Sequence, residues 1–275
     1  MALVPFPGPQ HQGAYGTAPE EHDNEGEPSA EGQMSFLEHL DELRRRILRS
    51  CIAIAVGVVA TFAFIRPIFD FILAPTRRVL PPGVTLIYTQ PGEAFSLYVT
   101  VALIAGILVA APFISYQVWM FIAPGLYANE KKMTYPFVAL TTLGFGLGAA
   151  FNHYVAFGFM MRFFASFNTT DLAFMPRLQD VFGLYTKMLI GLGIVFQLPT
   201  VVFFLAKMKL VTARFLATNL KYAVLIIFVV AAVITPGGDV MTQTIFAAPM
   251  LALYLISILI AWGVNPRGRS AQLLD

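Results

Sequence analysis

Long stretches without a charged side chain, each close to the length that crosses a bilayer, constrain this sequence more than any other feature. No charged residue occurs from Ser50 to Ile65, and five further apolar stretches follow. A helix of about 20 apolar residues spans the hydrocarbon core. Only 12% of the residues are charged, whereas soluble domains have roughly 25%. The sequence therefore predicts an all-α integral membrane protein with six transmembrane helices.

The six predicted spans differ in length. They lie at about 47–66, 96–120, 134–156, 186–206, 222–235 and 240–264. The fifth is the shortest, about 21 Å long at 1.5 Å per residue. Three regions are predicted: an acidic disordered tail at 1–33, a membrane domain at 34–264 and a short tail at 265–275.

Lysine and arginine are divided unevenly between the two sides of the predicted membrane domain. Of the 18 basic residues, 12 fall on the face that carries both termini and six on the opposite face. Loops rich in Lys and Arg stay in the cytoplasm. Both termini are therefore predicted to be cytoplasmic. The longer loops of the other face, 67–94 and 157–185, are predicted to form short interfacial helices.

Motifs for catalysis are missing from the sequence. It contains no G-x-x-x-x-G-K-[ST] phosphate loop, no H-E-x-x-H zinc motif and no G-x-S-x-G nucleophile motif. Cys51 is the single cysteine, which excludes an intrachain disulfide and a metal site built from cysteines. The sequence therefore favours binding or translocation over enzymatic turnover, with no catalytic residue, metal ligand or cofactor expected.

A charged helix precedes the first span. Ser35 and Glu38 match a capping box, which predicts a helix start, and Glu42 can pair with Arg46 one turn later. This pattern is typical of a solvated amphipathic helix with an ion pair worth about 0.3–0.5 kcal/mol. The alternative is an acidic group placed to meet a basic ligand at the membrane surface. We expect the three arginines that begin at Arg44 to face lipid phosphates.

Polar side chains also occur within or beside the later spans. Gln197 lies inside the fourth span, and Asp239 and Gln243 follow the fifth. Polar groups in hydrocarbon indicate either function or a hydrogen bond between helices. For Asp239, a hydrated carboxylate at the end of a loop is the alternative. Gly144 and Gly148 form a G-x-x-x-G pattern that predicts close helix packing.

Several motifs, in order, resemble the TatC family, the polytopic receptor subunit of the twin-arginine protein translocase. The resemblance covers about 34–264 and implies six helices arranged as a cupped, concave hand with cytoplasmic termini. It depends on these segments: His39–Arg46, Glu93–Phe95, Ala111–Phe113, Tyr116–Trp119, Phe121–Tyr127 with Glu130, Phe196–Pro199, Thr235-Pro236, Asp239, Gln243-Thr244 and Ala248–Met250.

The resemblance also implies roles for individual residues. Signal peptides with two consecutive arginines are expected to bind at a site built from Glu42, Glu130, Arg44, Phe121 and Phe95. Intramembrane polar groups that serve partner docking are expected at Gln197, Asp239 and Gln243, and structural prolines at Pro75, Pro124 and Pro199. Many family members have glutamate where this chain has Gln197, and glutamine cannot titrate.

The implied function is export of folded proteins across the cytoplasmic (inner) membrane, driven by the proton-motive force. The implied partners are signal peptides, single-span subunits like TatA and TatB, and the lipid bilayer. A homo-oligomer is a further expectation, and no nucleic acid is expected. The alternative prediction is a polytopic transporter of small solutes or ions with Asp239 and Gln197 in its path.

Overall fold

The computed structural model describes residues 36–80, 84–122, 134–169, 173–235 and 240–264. Within these ranges the regular structure is helical, apart from an isolated bridge between Ile87 and Arg177. The helices are α1 (Phe36–Ala63), α2 (Ile65–Arg77), α3 (Glu93–Ile122), α4 (Thr134–Phe151), α5 (Phe157–Ala165), α6 (Leu178–Val195), α7 (Leu198–Lys207), α8 (Ala213–Thr218), α9 (Leu220–Ile234) and α10 (Val240–Val264).

Six apolar helical segments account for the predicted spans. Among the described residues, five are long enough to cross a membrane: Glu38–Ala63, Glu93–Ile122, Thr134–Ala165, Leu178–Lys207 and Val240–Val264. Helix α9, with 15 residues, is the shorter sixth segment. The predicted all-α membrane fold is confirmed, including its short fifth span. The first four segments are longer than the charge pattern predicts.

The third segment continues through a buried polar turn into α5. A single π-helical turn, Asn152–Ala156, joins α4 to α5. His153 in this turn stacks on Phe71 of α2, with ring centroids 3.7 Å apart, and its Nδ1 lies 3.4 Å from the Tyr185 hydroxyl of α6. The helical segment runs nine residues past the predicted end at 156, because α5 follows the π-helical turn without a break.

Glycines allow α4 and α6 to pack closely. A Cβ atom added at Gly148 would lie 3.1 Å from the Cα of Gly193, and one at Gly144 would lie 3.0 Å from the Gln197 side chain. The predicted close packing of the G-x-x-x-G pattern is thus confirmed. The surrounding core contains the fully buried side chains of Phe157, Met160, Phe182, Met188, Leu192 and Phe246.

Two of the three expected structural prolines are described. Pro75 is buried inside α2. Pro199 is the second residue of α7, after an interruption at Phe196 and Gln197 that separates α7 from α6. A proline is well accommodated in a first helical turn, because the amide N–H that it lacks has no intrahelical acceptor there. Pro124 lies outside the described residues.

Candidate functional site

Helices α1 and α3 run antiparallel and approach closely at two glycines. A Cβ atom added at Gly57 would lie 2.6 Å from the carbonyl oxygen of Gly106, so only glycine permits this distance. One turn further along α1, the Thr61 hydroxyl donates a hydrogen bond to the Ala102 carbonyl oxygen at 2.9 Å. Both contacts fit a single alignment of the two helices, called the α1–α3 register. This alignment determines which turns of α1 and α3 face each other.

The same register brings Arg46 of α1 level with Gln117 of α3, and their side chains meet. Nη1 of Arg46 donates to Oε1 of Gln117 at 3.1 Å. Nη2 and Nε of Arg46 donate to Oε1 of Glu42, at 2.8 and 3.3 Å. Gln117 is buried, and the side chains of Arg46 and Glu42 are only 17% and 15% exposed. These three residues are called the Glu42 cluster below.

Only half of the Glu42 carboxylate is used in this cluster. Both Arg46 donors converge on Oε1, whereas Oε2 is buried and has no hydrogen-bond partner among the described residues. Leaving a buried acceptor without a donor costs about 1–3 kcal/mol. The Glu42 cluster is therefore suited to accept one further donor, and a cationic donor makes the strongest such bond.

The adjacent ion pair on α1 has a different environment. Asp41 and Arg45 are also four residues apart and 2.6 Å from each other, but their side chains are 54% and 63% exposed. Arg44 is exposed as well. The expectation that the three arginines face lipid phosphates is wrong for Arg46, whose side chain bonds to Gln117 of α3. Successive positions on a helix are rotated by about 100°, so Arg46 points in a different direction from Arg45.

The end of α3 nearest the Glu42 cluster is anchored by aromatic packing. Buried Trp119 contacts Phe137 of α4 and Phe204 of α7, with ring centroids 4.7 and 5.3 Å apart. Phe121 follows in the last turn of α3, where the α1–α3 register places it level with Glu42. Glu130 belongs to the segment between α3 and α4, outside the described residues.

A second polar cluster lies at the other end of α3. The Glu93 carboxylate is buried and accepts hydrogen bonds from the backbone N–H groups of Thr89 and Gln90 through Oε2, at 3.0 and 3.4 Å. Its Oε1 accepts from the N–H of Gln179 at 2.9 Å, and Arg177 donates to the Thr89 hydroxyl at 2.6 Å. These five residues, called the Glu93 clasp, join the segment before α3 to the start of α6.

Sequence reasoning missed the role of Glu93, although its position offered a signal. An acidic residue in the first turn of a helix is a common acceptor for free backbone N–H groups. Phe95 belongs to this same end of α3 and is 69% exposed. The rise of an α-helix places it about 39 Å from Phe121. The structure therefore does not bring Phe95 to the Glu42 cluster.

The two described glutamines of the partner-docking prediction make hydrogen bonds between helices. Nε2 of Gln197 donates to the Thr141 carbonyl oxygen of α4 at 3.1 Å, while its Oε1 is buried without a partner among the described residues. Nε2 of Gln243 donates to the Phe228 carbonyl oxygen of α9 at 2.7 Å. Asp239 lies outside the described residues. Both glutamines thus stabilise the bundle.

Comparisons with known proteins agree on one family. Residues 38–249 match the family model described as TatC, Sec-independent protein translocase protein. The chain is 42% identical over 239 residues to the Sec-independent protein translocase protein TatC of Koribacter versatilis, covering 86% of this chain and 88% of that protein. It is 40% identical over 228 residues to the TatC of Helicobacter pylori, covering 83% and 87%.

Solved structures show the same similarity in three dimensions. The crystal structure of a twin-arginine translocase receptor TatC superposes with a TM-score of 0.73 at 34% identity, covering 83% of this chain and 100% of that one. A second crystal structure of such a receptor, in DDM, gives a TM-score of 0.74 at 34% identity, covering 82% and 99%.

Proposed function

Because this chain belongs to the TatC family of Sec-independent protein translocase proteins, we propose that its Glu42 cluster is a receptor site for signal peptides with two consecutive arginines. The protein is a core subunit of the twin-arginine translocase, a multi-pass protein of the cytoplasmic membrane and not an enzyme. The proposal concerns how this subunit recognises its cargo.

The observation that carries the proposal is Oε2 of Glu42, which is buried and accepts no hydrogen bond from the part of the chain that the structure describes. A carboxylate in this position attracts a cation more strongly than an exposed one, because the surroundings screen the charge less than bulk water does. Phe121, level with Glu42, supplies an apolar surface for the residues beside a bound arginine. Arg44 is exposed on α1. It would therefore meet lipid or ligand at the edge of the predicted site.

Arginine fits this acceptor better than lysine does. A guanidinium presents parallel N–H groups that match the two oxygens of a carboxylate, whereas an ammonium is a compact point charge. Two consecutive arginines need two acceptors, and we assign the second to Glu130. Glu130 lies four positions before Thr134, where α4 begins.

The wider assembly is part of the same proposal. We place both termini and the Glu42 cluster on the cytoplasmic side, because the flanking segments carry most of the Lys and Arg residues. Single-span subunits like TatA and TatB would dock near Gln197, Asp239 and Gln243, and the proton-motive force would drive export. Since Oε1 of Gln197 is buried without a partner among the described residues, a donor on the partner helix could bind it.

A pair of neighbouring acids gives the matched test of this function. The full chain in lipid nanodiscs is titrated with a fluorescent peptide that carries Arg-Arg before an apolar segment, and with its Lys-Lys counterpart. Glu42→Gln is compared with Asp41→Asn, because the two acids have the same type of intrahelical ion pair but different burial.

Glu42→Gln should weaken Arg-Arg binding by roughly tenfold or more, since a hydrogen bond to a charged group contributes about 1.5–3 kcal/mol. Asp41→Asn should change it by less than about twofold, as expected for an exposed pair. Undiminished binding by Glu42→Gln, equal losses in both variants, or equal affinity of wild type for the two peptides would contradict the proposal.

A further inference from the structure

We propose that Arg46 is an internal competitor for the Glu42 carboxylate, so that a signal-peptide arginine binds there by displacing it. This inference rests on the proposed receptor function of Glu42. It adds a residue that opposes binding and thereby sets the affinity that a ligand must reach. Its basis is the geometry of the Glu42 cluster.

Arg46 carries the same guanidinium that the proposed ligand carries, and it donates two N–H groups to Glu42. The side chains of this pair are mostly shielded, at 17% and 15% exposure. A shielded ion pair is held more firmly than an exposed one. In the unliganded protein, the receptor carboxylate is therefore already paired with an arginine.

The two carboxylate oxygens of Glu42 are not equally available to a ligand. A bidentate guanidinium needs both carboxylate oxygens, one for each parallel N–H group. Oε2 of Glu42 has no partner among the described residues, but Oε1 already accepts two N–H groups from Arg46. A ligand arginine that engages both oxygens must therefore take Oε1 from Arg46. If it engaged Oε2 alone, it would form one bond in place of two, beside the like charge of Arg46.

Gln117 supplies an acceptor for the displaced side chain of Arg46. Nη1 of Arg46 donates to Oε1 of Gln117, a buried residue of another helix. This bond involves a nitrogen that does not contact Glu42, so Arg46 can lose Glu42 and retain Gln117. Displacement then leaves neither residue without a partner, because the ligand takes over the carboxylate. The exchange of one arginine for another is close to balanced in hydrogen bonds.

Competition by Arg46 also favours arginine over lysine. A lysine that displaces Arg46 replaces two N–H donors on Oε1 with a single compact ammonium group. A lysine that binds beside Arg46 meets the positive charge of the guanidinium. Both routes are less favourable for lysine than the exchange is for arginine. Arg46 therefore raises the threshold for every ligand, and most of all for ligands without a guanidinium.

The neighbouring ion pair supplies a matched control. Arg45 pairs with Asp41 at the same spacing on the same helix, and both side chains are more than half exposed. Arg45→Gln and Arg46→Gln each remove one positive charge from the same stretch of α1. Any general gain in attraction for a basic peptide appears in both variants. Only the loss of competition at Glu42 is specific to Arg46→Gln.

The test measures dissociation constants of the Arg-Arg peptide for the full chain in nanodiscs. We expect Arg46→Gln to bind about three- to tenfold more tightly than Arg45→Gln, which corresponds to removal of one ion pair from the exchange. Equal affinities of the two variants, or weaker binding by Arg46→Gln, would overturn the proposal. Weaker binding would mean that Arg46 orients Glu42 for the ligand and does not compete with it.

Two further variants keep the result interpretable. If Arg46→Gln does not fold, Arg46→Lys decides: its ammonium keeps the charge but holds Glu42 less firmly, so it too must bind more tightly than wild type. In a Glu42→Gln background, Arg46→Gln must add no gain beyond that of Arg45→Gln. Failure of the receptor function is seen separately, as equal binding by wild type and Glu42→Gln.

Discussion

Replacement of Gly106 by alanine tests whether close contact between α1 and α3 builds the Glu42 cluster. The added Cβ would lie 2.6 Å from the backbone nitrogen of Val58 and 2.8 Å from its Cα. These are backbone atoms of α1, so no side-chain rotation relieves the clash. The helices must separate, and the hydrogen bond from Thr61 to the Ala102 carbonyl oxygen must lengthen with them.

The expected cost follows from a comparison with Gly146→Ala. A Cβ atom at Gly146, in the exposed face of α4, meets nothing within 4 Å. Alanine there should stabilise the protein by about 0.5–1 kcal/mol, because it is the better helix former. The same gain applies at Gly106, but overpacking costs about 1–3 kcal/mol. The two variants should therefore differ by that overpacking cost, with Gly106→Ala the less stable.

Thermal unfolding in one detergent, followed by helical circular dichroism, measures this difference. Each kcal/mol corresponds to roughly 2–4 °C for chains of about this size, so Gly106→Ala should melt several degrees below Gly146→Ala. Gly106→Ala should also weaken binding of the Arg-Arg peptide, because Gln117 then no longer lies level with Arg46 and cannot accept its hydrogen bond. If Gly106→Ala is as stable as Gly146→Ala, the close α1–α3 contact described here is incorrect.

Two further predictions concern the ends of α3. Glu93→Gln should destabilise the Glu93 clasp by about 1–3 kcal/mol, because an amide NH₂ then faces backbone N–H donors. Hydrogen exchange of the Gln179 amide should therefore accelerate. The control Asp180→Asn, at an exposed position, should leave this exchange rate unchanged. Trp119→Ala should cost about 3–5 kcal/mol. Trp119→Phe should cost less, because it keeps an aromatic ring against Phe137 and Phe204 and the indole N–H has no partner among the described residues.

Both outcomes can fail in a recognisable way. Unchanged exchange at Gln179 in Glu93→Gln would show that the carboxylate does not hold the two segments together. If Trp119→Phe is as unstable as Trp119→Ala, an aromatic ring packed against Phe137 and Phe204 is not what stabilises this end of α3. The indole N–H would then have a partner.

Much of the fold could be predicted from the sequence because membrane insertion depends on composition. Charge-free runs predicted all six apolar helices, including short α9. Gly144 and Gly148 predicted a close helix contact because small residues permit close backbone approach. Boundaries were less predictable. The third segment continues to Ala165, nine residues past its predicted end, because α5 follows the π-helical turn without a break.

The candidate site was predictable only in its local part. The Glu42–Arg46 ion pair follows from helical spacing, which sequence reveals. The bond from Arg46 to Gln117 joins residues 71 positions apart, and no local pattern indicates it. The Glu93 clasp likewise links the start of α3 to Gln179. Both contacts depend on how helices are placed in space, which a single sequence does not encode in its periodicity.

Asp41–Arg45 and Glu42–Arg46 show why burial, and not sequence spacing, decides which acid can act as a receptor. The two pairs have the same charge, the same spacing and the same helix. A step of one residue rotates the second pair by about 100°, which moves it from an exposed face to the side that contacts Gln117. There the surroundings screen its charge less, so ligand binding at Glu42 is stronger and Arg46 is a stronger competitor. Equal effects of Glu42→Gln and Asp41→Asn would therefore contradict the receptor proposal, whereas equal effects of Arg46→Gln and Arg45→Gln would contradict the competition by Arg46.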